Sequence, residues 1–214
     1  SDPIEPLTGE EIKTFRLIAR RTWRFFTTFV TKEDNLLPPD NFQEDPQPIV
    51  AHRSSPTNFG LYLLSTVAAK DFGWIGIGEM VDRLESTLTA LQSLPRYRGH
   101  FYNWYDLQKK QPLDPQYISS VDSGNLAGHL LVIAQACEEI LRSPLPTLSR
   151  IEGIQDTLCL LKESLLIIRD NRRTLIVNLD QLQYAVCDLE NFLKDFPQTP
   201  FEYVSRWELL KTSA

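Results

Sequence analysis

Apolar residues recur at helical spacing in one segment of this chain after another, and strand-like alternation is nearly absent. The first series runs Ile12, Phe15, Ile18, Ala19, Thr22, Phe25, Phe26 and Phe29. Steps of three and four put these side chains on one face of an α-helix, whereas a half-buried strand needs every second residue. Thr8 and Glu11 stand where a capping box would open that helix, hydroxyl and carboxylate each serving an unpaired N–H. Arg16, Arg20, Arg21 and Arg24 fall mostly on the other side, the expected solvated face. Helical patterns follow at about 57–70, 78–94, 120–141, 148–168 and 174–195, with a short one at 201–210. Gly73 suits the left-handed stop between the second and third, which reads as an αα-hairpin. The fold class is therefore all-α, with six or seven helices and two long loops.

The 214 residues are read as a single helical domain. Residues 1–34 hold the first helix and 35–56 a proline-rich loop. Residues 57–141 hold a hairpin, an aromatic loop and a helix, and 142–214 further helices. Apolar residues make up 42% and charged residues 23%, enough core material to exclude disorder over most of the chain. The net charge of −6 argues against nucleic acid or an acidic membrane surface as partner. No apolar run approaches the roughly 20 residues of a membrane span. The opening SDPIEPLTGEE is the opposite of a secretory signal. Cys137, Cys159 and Cys187 sit in apolar helical patterns and read as buried thiols in a reducing compartment. His52, His100 and His129 lack partners at i+3 or i+4, so a zinc site would have to be assembled from distant segments and no metal is expected; no cofactor is expected either.

The two long loops carry the chemistry. Five prolines between Asn35 and Pro56 forbid a continuous helix, and loops of this length are uncommon without a task. The second loop, Pro95 to Ser120, interleaves Tyr102, Trp104, Tyr105 and Tyr117 with His100, Asn103 and Asp106. Each loop runs into a helix start, Arg53-Ser54-Ser55-Pro56-Thr57-Asn58 and Ser119-Ser120-Val121-Asp122-Ser123-Gly124-Asn125. Flat apolar rings beside Asp, Asn, Arg and His suit a saccharide, whose C–H faces stack and whose hydroxyls accept and donate. Two blander readings stand beside this one. Loop aromatics often belong to the core, and Asn58, Asp122 and Asn125 are natural helix caps. Glycoside chemistry needs two carboxyl groups, about 5–5.5 Å apart for retention and about 6.5–9.5 Å for inversion. Asp40, Glu44, Asp45, Asp106 and Asp122 are candidates, and nothing in the sequence selects a pair.

Several strings then fall into a familiar order. These are Trp23-Arg24-Phe25-Phe26, Leu37-Pro38-Pro39-Asp40-Asn41-Phe42-Gln43-Glu44 and Ala51-His52-Arg53-Ser54-Ser55-Pro56-Thr57-Asn58. Gly60-Leu61-Tyr62-Leu63-Leu64 and Asp71-Phe72-Gly73-Trp74-Ile75 follow, then Gly99-His100-Phe101-Tyr102-Asn103-Trp104-Tyr105-Asp106 and Ser120-Val121-Asp122-Ser123-Gly124-Asn125-Leu126-Ala127-Gly128-His129. Over Thr22–Cys137 the chain resembles the central region of cyclic β-1,2-glucan synthases. The resemblance implies part of an (α/α)6 toroid, similar to glycoamylase-like glucanases, in a region that closes glucan rings by transglycosylation. It also implies the cytoplasmic, soluble part of an inner-membrane protein, with β-1,2-glucan and the remaining synthase domains as partners. The chain has the length of about half such a toroid, and the catalytic carboxylates are expected in the other half. Arg53, Asn58, His100, Tyr102, Trp104, Asp106, Asp122 and Asn125 are then the expected glucan-binding residues. A homodimer through apolar surface left uncovered is a further expectation. The alternative function is a helical scaffold that docks other parts of the synthase without touching sugar.

Overall fold

The computed structural model describes residues 5–142, 148–171 and 179–194. Six α-helices lie among them: α1 (Gly9–Phe29), α2 (Pro56–Asp71), α3 (Ile77–Gln92), α4 (Ser120–Arg142), α5 (Leu148–Asn171) and α6 (Leu179–Lys194). The all-α expectation holds. The short helix expected at 201–210 lies outside the described residues. None of the described helices is long and apolar enough to cross a membrane. Seven strands of two residues each interrupt the two long loops. They are β1 (Phe42–Gln43), β2 (Ile49–Val50), β3 (Arg53–Ser54), β4 (Arg96–Tyr97), β5 (His100–Phe101), β6 (Tyr105–Asp106) and β7 (Gln111–Pro112).

Backbone contacts divide the chain into two compact units. The first comprises Ser1–Arg20, Phe72–Trp74 and Leu145–Ala214, the second Arg21–Asp71 and Ile75–Pro144. In the first unit, α5 and α6 bury Ile151, Leu158, Val186 and Leu193 against each other. Asp156 is also buried there, and accepts hydrogen bonds from Arg16 (Nη2, 2.8 Å) and the Trp74 indole (2.8 Å). Arg16 lies over the Phe72 ring, which stacks on Trp74. Arg16 is therefore no part of a solvated face. Conversely, the apolar residues Ile12, Phe15 and Ile18 are exposed. Periodicity marks a face, and whether a neighbour covers it depends on tertiary structure. Cys187, expected to be buried, is exposed as well.

In the second unit α2 is the central helix. Phe59, Gly60, Tyr62, Leu63, Thr66, Val67 and Ala69 are all buried, which a helix surrounded by neighbours requires. Tyr62 meets the rings of Trp23 and Phe26 from α1. Phe59 meets Phe101 and Tyr105 beneath the aromatic loop. α4 packs along α2 so closely that a Cβ on Gly60 would collide with the His129 imidazole. Asp34, almost fully buried, holds His52 Nδ1 at 2.8 and 2.9 Å, tying the proline loop to the turn after α1. The antiparallel order β3–β6–β7 then joins the two long loops, with Arg53 opposite Asp106 and Ser54 opposite Tyr105. Short pairings of this kind lie below what period-2 alternation can announce. Gly60→Ala should destabilise the chain by about 1–3 kcal/mol through overpacking. Chemical denaturation measures this, and an unchanged midpoint would mean that α2 and α4 are further apart.

Candidate functional site

The starts of α2 and α4 are built alike, and neither uses its Asn or Asp as the cap. The Ser55 hydroxyl accepts the Asn58 N–H (3.4 Å), and the Ser119 hydroxyl accepts the Asp122 N–H (3.1 Å). Serine three residues ahead of the bonded amide is the usual cap geometry, and Pro56 fits the first helical position because its missing N–H would be unpaired anyway. With the caps supplied by Ser55 and Ser119, the side chains of Asn58 and Asp122 are released for other partners.

Each of those hydroxyls still has its O–H free to donate, and Asp122 is the acceptor. Burial opposes its charge, yet hydrogen bonds from Ser119, Thr57 and Ser55, with the Thr57 backbone N–H, outweigh that and hold its carboxyl below the usual aspartate range. The Thr57 hydroxyl in turn accepts from Asn125 (3.1 Å). One further donor reaches Asp122 from the aromatic loop. An indole N–H can only donate, so the Asn103 oxygen faces Trp104 Nε1 (2.8 Å) and the Tyr117 hydroxyl (2.8 Å), while its amide nitrogen donates to Asp122 (2.9 Å). Two helix starts and one long loop thus meet at a single ionised carboxylate, where the positive ends of both helix dipoles favour the charge.

The proline loop reaches the same place. Asp40 accepts from Asn58 Nδ2 (3.0 Å) and Asn41 (3.0 Å), and Arg53 lies 3.4 Å away. The Arg53 guanidinium also lies over the Trp104 ring, 4.9 Å from its centroid, a cation–π arrangement. The result is a polar cluster with a half-buried indole in its middle. Asp40 and Asp122 stand on either side of the α2 start, through Asn58 and Thr57 respectively.

No protein-family model matches the chain. The cyclic beta-(1,2)-glucan synthase NdvB of Rhizobium meliloti (strain 1021) is 51% identical to it over 169 residues, 78% of the chain. The chain belongs to that synthase family, as a segment. It spans 6% of the length of the relative it matches.

Within this synthase segment the expected residues separate into two groups. Arg53, Asn58, Trp104, Asp122 and Asn125 meet in the cluster just described. His100 and Tyr102 have other surroundings, and Asp106, though opposite Arg53 in the β3–β6 pair, engages its carboxylate in its own turn. His100 is exposed in β5, paired with Tyr97 across a hairpin. Tyr102 rests against the Tyr105 ring and donates its backbone N–H to the Tyr105 hydroxyl. Asp106 accepts the Lys109 N–H, which closes the β6–β7 turn and pulls its carboxyl below the ordinary value. Tyr105 offers no open face: it is fully buried, donates to the Pro95 carbonyl and is pushed up to about 12 by burial. Glu44 and Asp45 are exposed in the β1–β2 connection. Ser55, Ser119 and Asn103 belong to the cluster as well. The spacing Ser-x-x-Asn and Ser-x-x-Asp was the available signal for the two serines. No group of three or more His, Cys, Asp or Glu side chains among the described residues could hold a metal ion. A cleft of about 350 Å³ exists in the other unit, lined by Lys13, Arg16, Asp156, Cys159, Lys162 and Glu190, and contains none of the motif residues.

A depressed pKa in the folded state means that Asp122 contributes stability above its unfolded value and that this is lost as pH falls through the folded one. The loss therefore belongs below the ordinary aspartate value of 3.8. Ser119→Ala should raise the Asp122 pKa, bring the acid loss to higher pH, and cost about 0.5–2 kcal/mol at neutral pH. Carboxyl carbon NMR follows the titration, and an unmoved Asp122 would remove Ser119 from its donors.

Proposed function

We propose that this segment supplies part of a β-1,2-glucan-binding surface to the central, ring-closing region of a cyclic β-1,2-glucan synthase. The observation that carries the reading is the gathering of Trp104, Arg53, Asp40, Asn58 and Asn125 at two adjoining helix starts. Trp104 has Arg53 on one face, so a sugar ring would stack on the other, with Arg53 and the amides of Asn58 and Asn125 as donors to hydroxyls. Asp122 already accepts from Ser55, Thr57, Ser119 and Asn103, which hold it ionised. A carboxylate in that state cannot act as a general acid, so the proton donor for glycosidic cleavage would come from elsewhere in the synthase. Asp40, with fewer and longer contacts, is the carboxylate a hydroxyl could reach. Helices α2 and α4, lying side by side with their starts together, fit a toroid whose remaining helices lie in the rest of the synthase.

A scaffold role is the second reading, and one observation favours it. Val121, Leu131, Val132 and Leu141 are exposed along α4, a surface suited to other parts of the same synthase. The two readings separate on sugar binding. Titration calorimetry with linear β-1,2-glucan should give measurable heat with the chain. Trp104→Ala should weaken that binding about tenfold, the ~1.4 kcal/mol of a lost aromatic anchor, with a smaller effect on thermal stability. Absence of heat at millimolar glucan would leave the scaffold reading in place.

A further inference from the structure

We propose that Asn103 is the positioning residue of this saccharide surface, its buried amide fixing the Asp122 carboxylate and the Trp104 ring relative to each other. The part of this inference that concerns sugar rests on the glucan reading; the clamp itself does not. Asn103 is only 6% exposed, and a buried amide must place both its donors and its oxygen well. Here the oxygen takes the Trp104 and Tyr117 protons and the nitrogen gives to Asp122. Its backbone N–H donates to the Tyr117 carbonyl at 2.8 Å, so the main chain is pinned at the same point. Few side chains can do this. Aspartate would keep the acceptor but set a second negative charge against Asp122. Glutamine is one methylene longer, and leucine would leave the Trp104, Tyr117 and Asp122 groups without their shared partner. Asn103 touches no open surface itself. It acts through Asp122 and Trp104, and it couples the aromatic loop to the start of α4.

Hydrogen exchange of the tryptophan indole N–H groups, read by ¹H–¹⁵N NMR, tests the clamp, with Trp104→Phe assigning the Trp104 signal. In Asn103→Leu the Trp104 indole should exchange about tenfold or more faster, because its acceptor is gone, while the other three tryptophans keep their rates. Glucan affinity, by calorimetry, should fall about tenfold in the same variant. The exchanged pair, Asn103→Asp with Asp122→Asn, reverses donor and acceptor. It should restore the slow Trp104 signal, now with a carboxylate oxygen as acceptor. A Trp104 indole that stays slow in Asn103→Leu overturns the proposal. If that variant does not fold, a folded exchanged pair that lacks the slow Trp104 signal overturns it equally. Should the indole rates change as expected while the unaltered chain binds no β-1,2-glucan, the clamp stands and the saccharide reading falls.

Discussion

The Asp122 carboxylate is the point on which the organisation of the second unit depends. Ser55 and Thr57 come from the start of α2, Ser119 from the start of α4 and Asn103 from the aromatic loop, and all donate to it. Each hydroxyl does two jobs, accepting from an amide and donating its own O–H to Asp122. Loops of this length would otherwise be free to choose among many conformations, at about 1–2 kcal/mol of entropy for each ordered residue. A charge with several donors from different elements selects one of them. Removing the Asp122 side chain would leave those donors without their common acceptor, which is why such hubs are costly to disturb.

The first unit solves a similar problem with a different pair. Asp156 is buried, and Arg16 and Trp74 supply the donors that make burial tolerable. Gly73 lies at φ +79° and so close to Ser149 that a Cβ would collide with its carbonyl. Glycine alone satisfies both conditions without strain. Aromatic stacking of Phe72 on Trp74, with Arg16 above, completes this corner.

Much of the helical architecture was legible in the sequence, because periodicity and caps are local. The Thr8–Glu11 box forms as its spacing implies, Gly73 is left-handed, and α2, α3 and α4 begin and end within about two residues of the pattern. Partners distant in sequence were not legible. Nothing local says that Arg16 meets a residue 140 positions away, or that Asp34 receives His52. The same holds for the site. Trp104 and Asp122 were nameable from composition, and that they share one amide was not. The division between Trp104, in the cluster, and His100, outside it, depends on two-residue strands that leave no pattern.

A crystal structure of this chain with a linear β-1,2-gluco-oligosaccharide bound is the most direct test. A glucose ring should lie on the face of Trp104 away from Arg53, within about 4–4.5 Å. Hydroxyls should then lie against Arg53, Asn58 or Asn125, and Asp122 should still be held by Asn103. A sugar ordered elsewhere on the chain, or an Asp122 side chain turned away from Asn103 and the two serines, would contradict this arrangement.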